Sequence, residues 1–166
     1  MRAMFFRFTA VLALAALAQS AACAEGLVSA KRLSASLAAE LAMDAVTACA
    51  QKNYHVGVVV LDYSGVQQVA LRGDGAGIHT VDPADYKANT TLSFRIDGVD
   101  LVERSKTRAP PGPIGRLPRL LLAQGAVLIK AGDEIVGAIG ISGARGNNMD
   151  TACARAGADK IKDRLK

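Results

Sequence analysis

The sequence contains no tryptophan, and aromatic residues make up only 4% of its 166 residues. Single-stranded nucleic acid stacks its bases on aromatic side chains, so a chain this poor in them is not built for that task. Only two histidines occur, His55 and His79, far apart in the sequence and without an H-x-x-x-H or C-x-x-C spacing, so no zinc pattern is present. No serine lies in a G-x-S-x-G elbow, which leaves a hydrolytic triad unsupported. No pair of carboxylates stands out for acid–base work. Asp82 and Asp85 lie three apart, but at a helix start that is ordinary complementarity to the helix dipole. Beyond Ala24 no run is long and apolar enough to span a bilayer.

What is present begins with a leader. Arg2 and Arg7 precede the apolar run Ala10–Ala18, and Ala22-Cys23-Ala24 matches the small-x-small pattern that precedes a cleavage point, here before Glu25. This pattern predicts a secretory signal peptide over 1–24, with the mature domain over 25–166 in the periplasm or outside the cell. The whole chain carries 20 basic and 15 acidic residues, a net charge of +5. Losing Arg2 and Arg7 leaves 18 basic against 15 acidic, a mild +3. Part of that sits in the tail, where Lys160, Lys162, Arg164 and Lys166 alternate with Asp159 and Asp163 as on a solvated helix face. The mature chain keeps Cys49 and Cys153, and export would put them in an oxidising compartment. The sequence leaves them open between a disulfide and two separate buried thiols.

The mature length suits one domain with a real core. Ser29 is the expected cap of a first helix, with Leu33, Leu37, Leu41, Ala45 and Ala48 on its apolar face and an end near Lys52-Asn53. Val56–Leu61 reads as a buried strand, Asp62-Tyr63-Ser64-Gly65 as a turn, and Val66–Arg72 as the returning strand. Asp82-Pro83 predicts a helix start with Asp82 as its cap, running to Phe94. A short helix follows over Asp97–Ser105, then a proline-rich loop over Thr107–Pro118. Leu120–Ala123, Ala126–Lys130 and Glu134–Ser142 read as three strands, and a closing helix runs from Met149. The expected fold class is α+β: a five-stranded, mostly antiparallel sheet with flanking helices.

The stretch that draws chemical interest is Arg72–Phe94. Gly73, Gly75 and Gly77 make a flexible loop, although Ile78 stands where a dinucleotide-binding G-x-G-x-x-G would need its third glycine. His79 and Thr80 then meet a helix N-terminus, an electropositive end that suits an anion. An exposed imidazole among small residues can ligate haem iron, with Arg72, Lys87 or Arg145 available to propionates. The bland reading of the same stretch is a strand-to-helix connection with a surface histidine, and of His55 a strand-edge histidine.

These segments resemble a known family. The turn Asp62-Tyr63-Ser64-Gly65 after a hydrophobic strand is like the family's V-x-D-x-x-G. It is followed by Arg72-x-Asp74-Gly75-Ala76, His79-Thr80 and Lys87-Ala88-x-Thr90. Ile135–Gly143 is similar to a V-V-G-A-I-G-V-S-G signature, and Asp150–Gly157 to D-x-x-C-A-x-A-G. In this order and spacing they resemble the GlcG/HbpS-like family of haem-binding and related proteins, found also as the C-terminal domain of PduO-type proteins. The resemblance covers about Leu27–Ile161.

It implies a profilin-like sheet domain, homo-oligomers, often octamers, and haem binding in several secreted or compartment-bound members. His79 is the implied axial ligand, with Thr80 and Lys87 near the same surface and Arg72 beside them. Met149, Tyr54, Tyr63 and Tyr86 stand as candidates for a second ligand. Gln124-Gly125 replaces the family's Gly-Gly pair, and Leu128 stands where a proline is frequent. The implied function is a haem store, buffer or carrier, with a membrane sensor or transporter as partner. The alternative is a small enzyme or accessory factor acting on a carboxylated small molecule in organic-acid or alcohol catabolism.

Overall fold

Ser34, not Ser29, starts the first helix: its Oγ accepts the N–H of Leu37 at 3.2 Å, and α1 runs over Ala35–Ala50. The computed structural model describes residues 26, 28–107 and 117–166. The expected leader and Pro110, Pro111 and Pro113 lie outside the described residues. Along α1 the buried seam is Ala38, Leu41, Ala42, Ala45 and Cys49, a narrow stripe of mostly small side chains at helical spacing.

Two strands follow, β1 (Gly57–Asp62) and β2 (Gln67–Arg72), paired antiparallel with a register shift at Val60/Leu61. The turn between them is built by Asp62, whose Oδ1 accepts the N–H groups of Ser64 at 2.9 Å and Val66 at 3.0 Å. Helix α2 spans Val81–Phe94 and α3 spans Gly98–Thr107. Strands β3 (Ala126–Ala131) and β4 (Glu134–Ser142) form the second hairpin. Helix α4 covers Asn147–Ile161 and ends in a 3-10 turn over Lys162–Arg164. The sheet order is β2-β1-β4-β3, antiparallel throughout.

Every residue of β1 is buried, because both faces of this central strand are covered. Val58 and Val60 face the larger core with α1 and α4. Val59 and Leu61 face α2, packed with Ala84, Ala88 and Ala138. The domain is therefore α+β, with two helices on one face and one on the other.

The sheet has four strands among the described residues, not five. Leu120–Ala123, expected as a strand, has no regular secondary structure and joins no ladder. It lies along α2 instead: the N–H of Leu121 donates to Thr90 Oγ1 at 2.8 Å, and Arg119 grips Asp85 through two 3.0 Å bonds. With its amide taken by a side chain and Arg119 in the left-handed region at φ 62°, the segment cannot align with β3. On the outer side of β3, the N–H of Leu128 donates to the Asp97 carboxylate at 2.8 Å.

Cys49 on α1 and Cys153 on α4 form a disulfide, with Cα atoms 5.5 Å apart and a sequence separation of 104. Both are buried in the larger core. Closing a loop of that length restricts the unfolded chain strongly, by about 4.7 kcal/mol in the chain-entropy account. Replacing both cysteines by alanine is expected to lower unfolding free energy by about 2–5 kcal/mol, read from urea denaturation under non-reducing conditions. A loss below about 0.5 kcal/mol would mean that the bond is not formed in the protein.

Asp62 carries a second, pH-dependent contribution. Burial works to raise its pKa, but the Arg32 guanidinium at 2.6 Å and the N–H groups of Val66 and Ser64 outweigh it, holding the carboxyl below its ordinary 3.8. A carboxyl with a lowered folded-state pKa stabilises above its unfolded value, and that contribution is lost as pH falls through the folded one. The stability gap between wild type and Asp62→Asn is expected to be full at pH 7 and to shrink below about pH 4. Denaturant midpoints across that range check it, and a gap that widens on acidification would contradict it.

Candidate functional site

The antiparallel register pairs Gly57 with Arg72, so the chain just before β1 and the glycine loop after β2 meet at one end of the sheet. An open pocket of about 670 Å³ lies there. Volumes of about 300–1,000 Å³ are usual for small-molecule sites. Four pieces of chain build it: the segment leaving α1 with Lys52, Tyr54 and His55, the glycine loop, the first residues before α2, and the loop after β4.

His79 and Thr80 both line this pocket. The His79 imidazole is exposed and rests over Gly77, where a Cβ would stand 2.8 Å from its Cε1. Thr80 is buried and its Oγ1 donates to the Gly77 carbonyl at 2.8 Å, which folds the loop back on itself. Helix α2 starts at Val81 with Thr80 as its N-terminal flank and no side-chain cap, so Asp82 falls inside the first turn and does not cap the helix. Gly57 and Gly143 make room for this junction: a Cβ on Gly57 would lie 2.7 Å from Thr80 Oγ1, and one on Gly143 would lie 3.1 Å from Thr80 Cγ2.

The other expected residues sit differently. Arg72 is exposed and braces the loop, its Nη1 donating to the Ala76 carbonyl at 3.1 Å, and it does not line the pocket. Lys87 does not line it either, and is buried at 3% exposure. Its ammonium pairs with Asp150 Oδ2 at 2.8 Å and donates to the Ile141 carbonyl at 3.1 Å and Asn147 Oδ1 at 3.3 Å. All three donor positions are spent inside the fold. Of the candidate second ligands, Tyr54 lines the pocket, whereas Met149, Tyr63 and Tyr86 do not.

His55 is the residue that the sequence hid. It lines the same pocket as His79, and its Nδ1 donates to the Asp74 carbonyl at 2.6 Å. Its place at the foot of a buried strand gave no hint of this. The hairpin register was the available signal, since Gly57 opposite Arg72 puts residue 55 opposite residue 74. Arg145 completes the lining with Lys52, and no carboxylate side chain lines the pocket among the described residues. Two imidazoles, two cations and a glycine floor favour an anionic ligand able to take a nitrogen donor.

Comparison with known proteins agrees with this architecture. A family model described as "haem degrading protein HbpS-like" matches residues 33–159. The crystal structure of HbpS superposes with a TM-score of 0.76 at 32% identity, over 82% of this chain and 94% of that one. A Streptomyces reticuli HbpS double mutant gives 0.76 at 34% identity, over 88% and 98% of the two chains. A PduOC:heme complex shares the fold at 22% identity and a TM-score of 0.71, over 79% of this chain and 96% of that one. No curated protein matches the sequence.

The Lys87–Asp150 pair behaves as scaffold in this geometry. Burial pushes the Asp150 carboxyl above its ordinary 3.8, against the pull of Lys87 and of the Ala144 N–H. Removing one partner leaves the other charge buried and alone, whereas removing both does not. Lys87→Met is expected to cost about 3–5 kcal/mol of unfolding free energy, and Lys87→Met with Asp150→Leu distinctly less. A double-mutant cycle by urea denaturation measures this, and additive losses would show that the two charges are not coupled.

Proposed function

The chain belongs to the HbpS-like family, and from that premise we propose that it is an exported haem-binding protein that stores, buffers or passes on haem. The observation that carries this reading is the pocket at the end of the β1–β2 hairpin. A histidine imidazole is one of the side chains that hold haem iron, and cations pair with its propionates. The lining offers His79 and His55 as nitrogen donors and Lys52 and Arg145 as cations, with Tyr54 beside them. The glycine floor leaves the imidazoles approachable, since a side chain at Gly75 or Gly77 would press on a histidine ring. When bound, haem supplies an iron centre whose ligation and redox state the surrounding protein tunes.

In this reading the iron ligand comes from this pair of histidines, His79 being the one that the family resemblance implies, and Thr80 fixes the loop that carries His79. Arg145 and Lys52 take the propionates. Arg72 acts indirectly by bracing Gly73–Ala76, and Lys87 does not reach the ligand. Export rests on the leader over 1–24 and is supported by the Cys49–Cys153 bond, since such bonds persist in oxidising compartments. The family also points to homo-oligomers, octamers among them, and to a membrane sensor or transporter as the receiver of haem or of its signal. No helix among the described residues is long and apolar enough to cross a membrane itself.

The cationic lining favours one second reading, in which the pocket takes a carboxylated small molecule and His79 acts as its acid or base. A haemin titration followed at the Soret band separates the two, beside His79→Ala. Saturable binding at a fixed haem-to-chain ratio is the expected result. No saturable shift, together with turnover of a small carboxylic acid, would sink the haem reading in favour of the second.

A further inference from the structure

Resting on the haem reading, we infer that His55 is an iron ligand of this pocket, through Nε2, and the better prepared of its two histidines. The argument starts from a hydrogen bond whose direction is forced. A backbone carbonyl only accepts, so the 2.6 Å contact between His55 Nδ1 and the Asp74 oxygen requires Nδ1 to carry the proton. In the neutral ring Nε2 then holds the free lone pair. A histidine that donates one ring N–H to a carbonyl and offers the other nitrogen has the arrangement by which proteins orient metal-ligating imidazoles and raise their basicity.

The surroundings crowd His55 at its ring and at its backbone. Gly75, at φ +73°, lies so close that a Cβ there would stand 3.0 Å from His55 Nδ1. Gly143 passes so near the His55 backbone that a Cβ would stand 2.6 Å from its carbonyl oxygen. The ladder ends at the Gly57–Arg72 pair, which sets residue 55 across from residue 74 and fixes the partner of Nδ1. His79 has no comparable anchor: among the described residues its ring makes no hydrogen bond, and it contacts the pocket floor at Gly77. One histidine is therefore aimed before any ligand arrives, and the other is free to adjust.

Three measurements on the purified protein test this. In the haem-free protein, ¹⁵N chemical shifts of the imidazoles are expected to show His55 protonated at Nδ1. On haemin titration, His55→Gly is expected to bind more than about tenfold more weakly and to lose the wild-type Soret position, and added imidazole to restore it. His79→Ala is expected to keep the larger part of both. An Nε2-protonated His55, or a His55→Gly variant with wild-type spectrum and affinity while His79→Ala loses both, would overturn the assignment and leave haem binding standing. Absence of any saturable shift in the wild type would remove the haem reading and this assignment with it.

Discussion

The structure depends on how closely α2 lies on the sheet. A Cβ on Gly140 of β4 would fall 2.0 Å from the Ala84 carbonyl and 2.9 Å from the Ala88 nitrogen, so backbone meets backbone with nothing between. Gly57 of β1 is as intolerant at the Thr80–Val81 junction, where an added Cβ would lie 2.7–2.8 Å from three atoms. Few large side chains are available on this face, whose buried core is Val59, Leu61, Ala84, Ala88 and Ala138. Van der Waals contact at short range replaces bulk here, and any added methyl must displace a helix. Because α2 is seated this way, the position of Thr80 is settled, and with it the loop that carries His79.

The opposite face follows a different rule. There α1 and α4 cover a thicker core of valines and isoleucines, and a covalent bond joins the two helices at Cys49 and Cys153. The Lys87–Asp150 pair connects the layers, because Lys87 belongs to α2 and Asp150 to α4, and the Ile141 carbonyl at the end of β4 lies between them. The rigid parts thus converge on the end of the sheet where β1 begins and β4 finishes. The pocket sits at that end, on four connecting segments whose anchor points do not move independently.

Much of this could be read from residue order. The β-branched run Val56–Leu61 announced a buried strand, and Asp62 followed by Gly65 announced its turn, because these signals are local. The fifth strand was misjudged because Leu120–Ala123 has strand-like composition, while its partner is decided by Thr90 and Asp85 on a distant helix. Lys87 lay close in sequence to His79 but does not line its pocket, since a helix turns its residues to different sides and only Asp150, 63 residues on, explains its burial. His55 was undervalued for the converse reason. Counting back along the hairpin from its turn, with one bulge, would have set it against Asp74, and a period-two ladder makes such counting possible.

The bond between Asp97 and the Leu128 amide bears on which edge of the sheet is open to another strand. An open sheet has two rims, and each presents backbone donors and acceptors to any passing strand. On the β3 rim a carboxylate already occupies one outward amide, and an approaching strand would have to displace it and confront its charge. The β2 rim, from Gln67 to Arg72, carries no such plug from a side chain among the described residues. A strand approaching this sheet would therefore meet less obstruction at the β2 rim than at the β3 rim, so the two edges of the sheet are not equivalent.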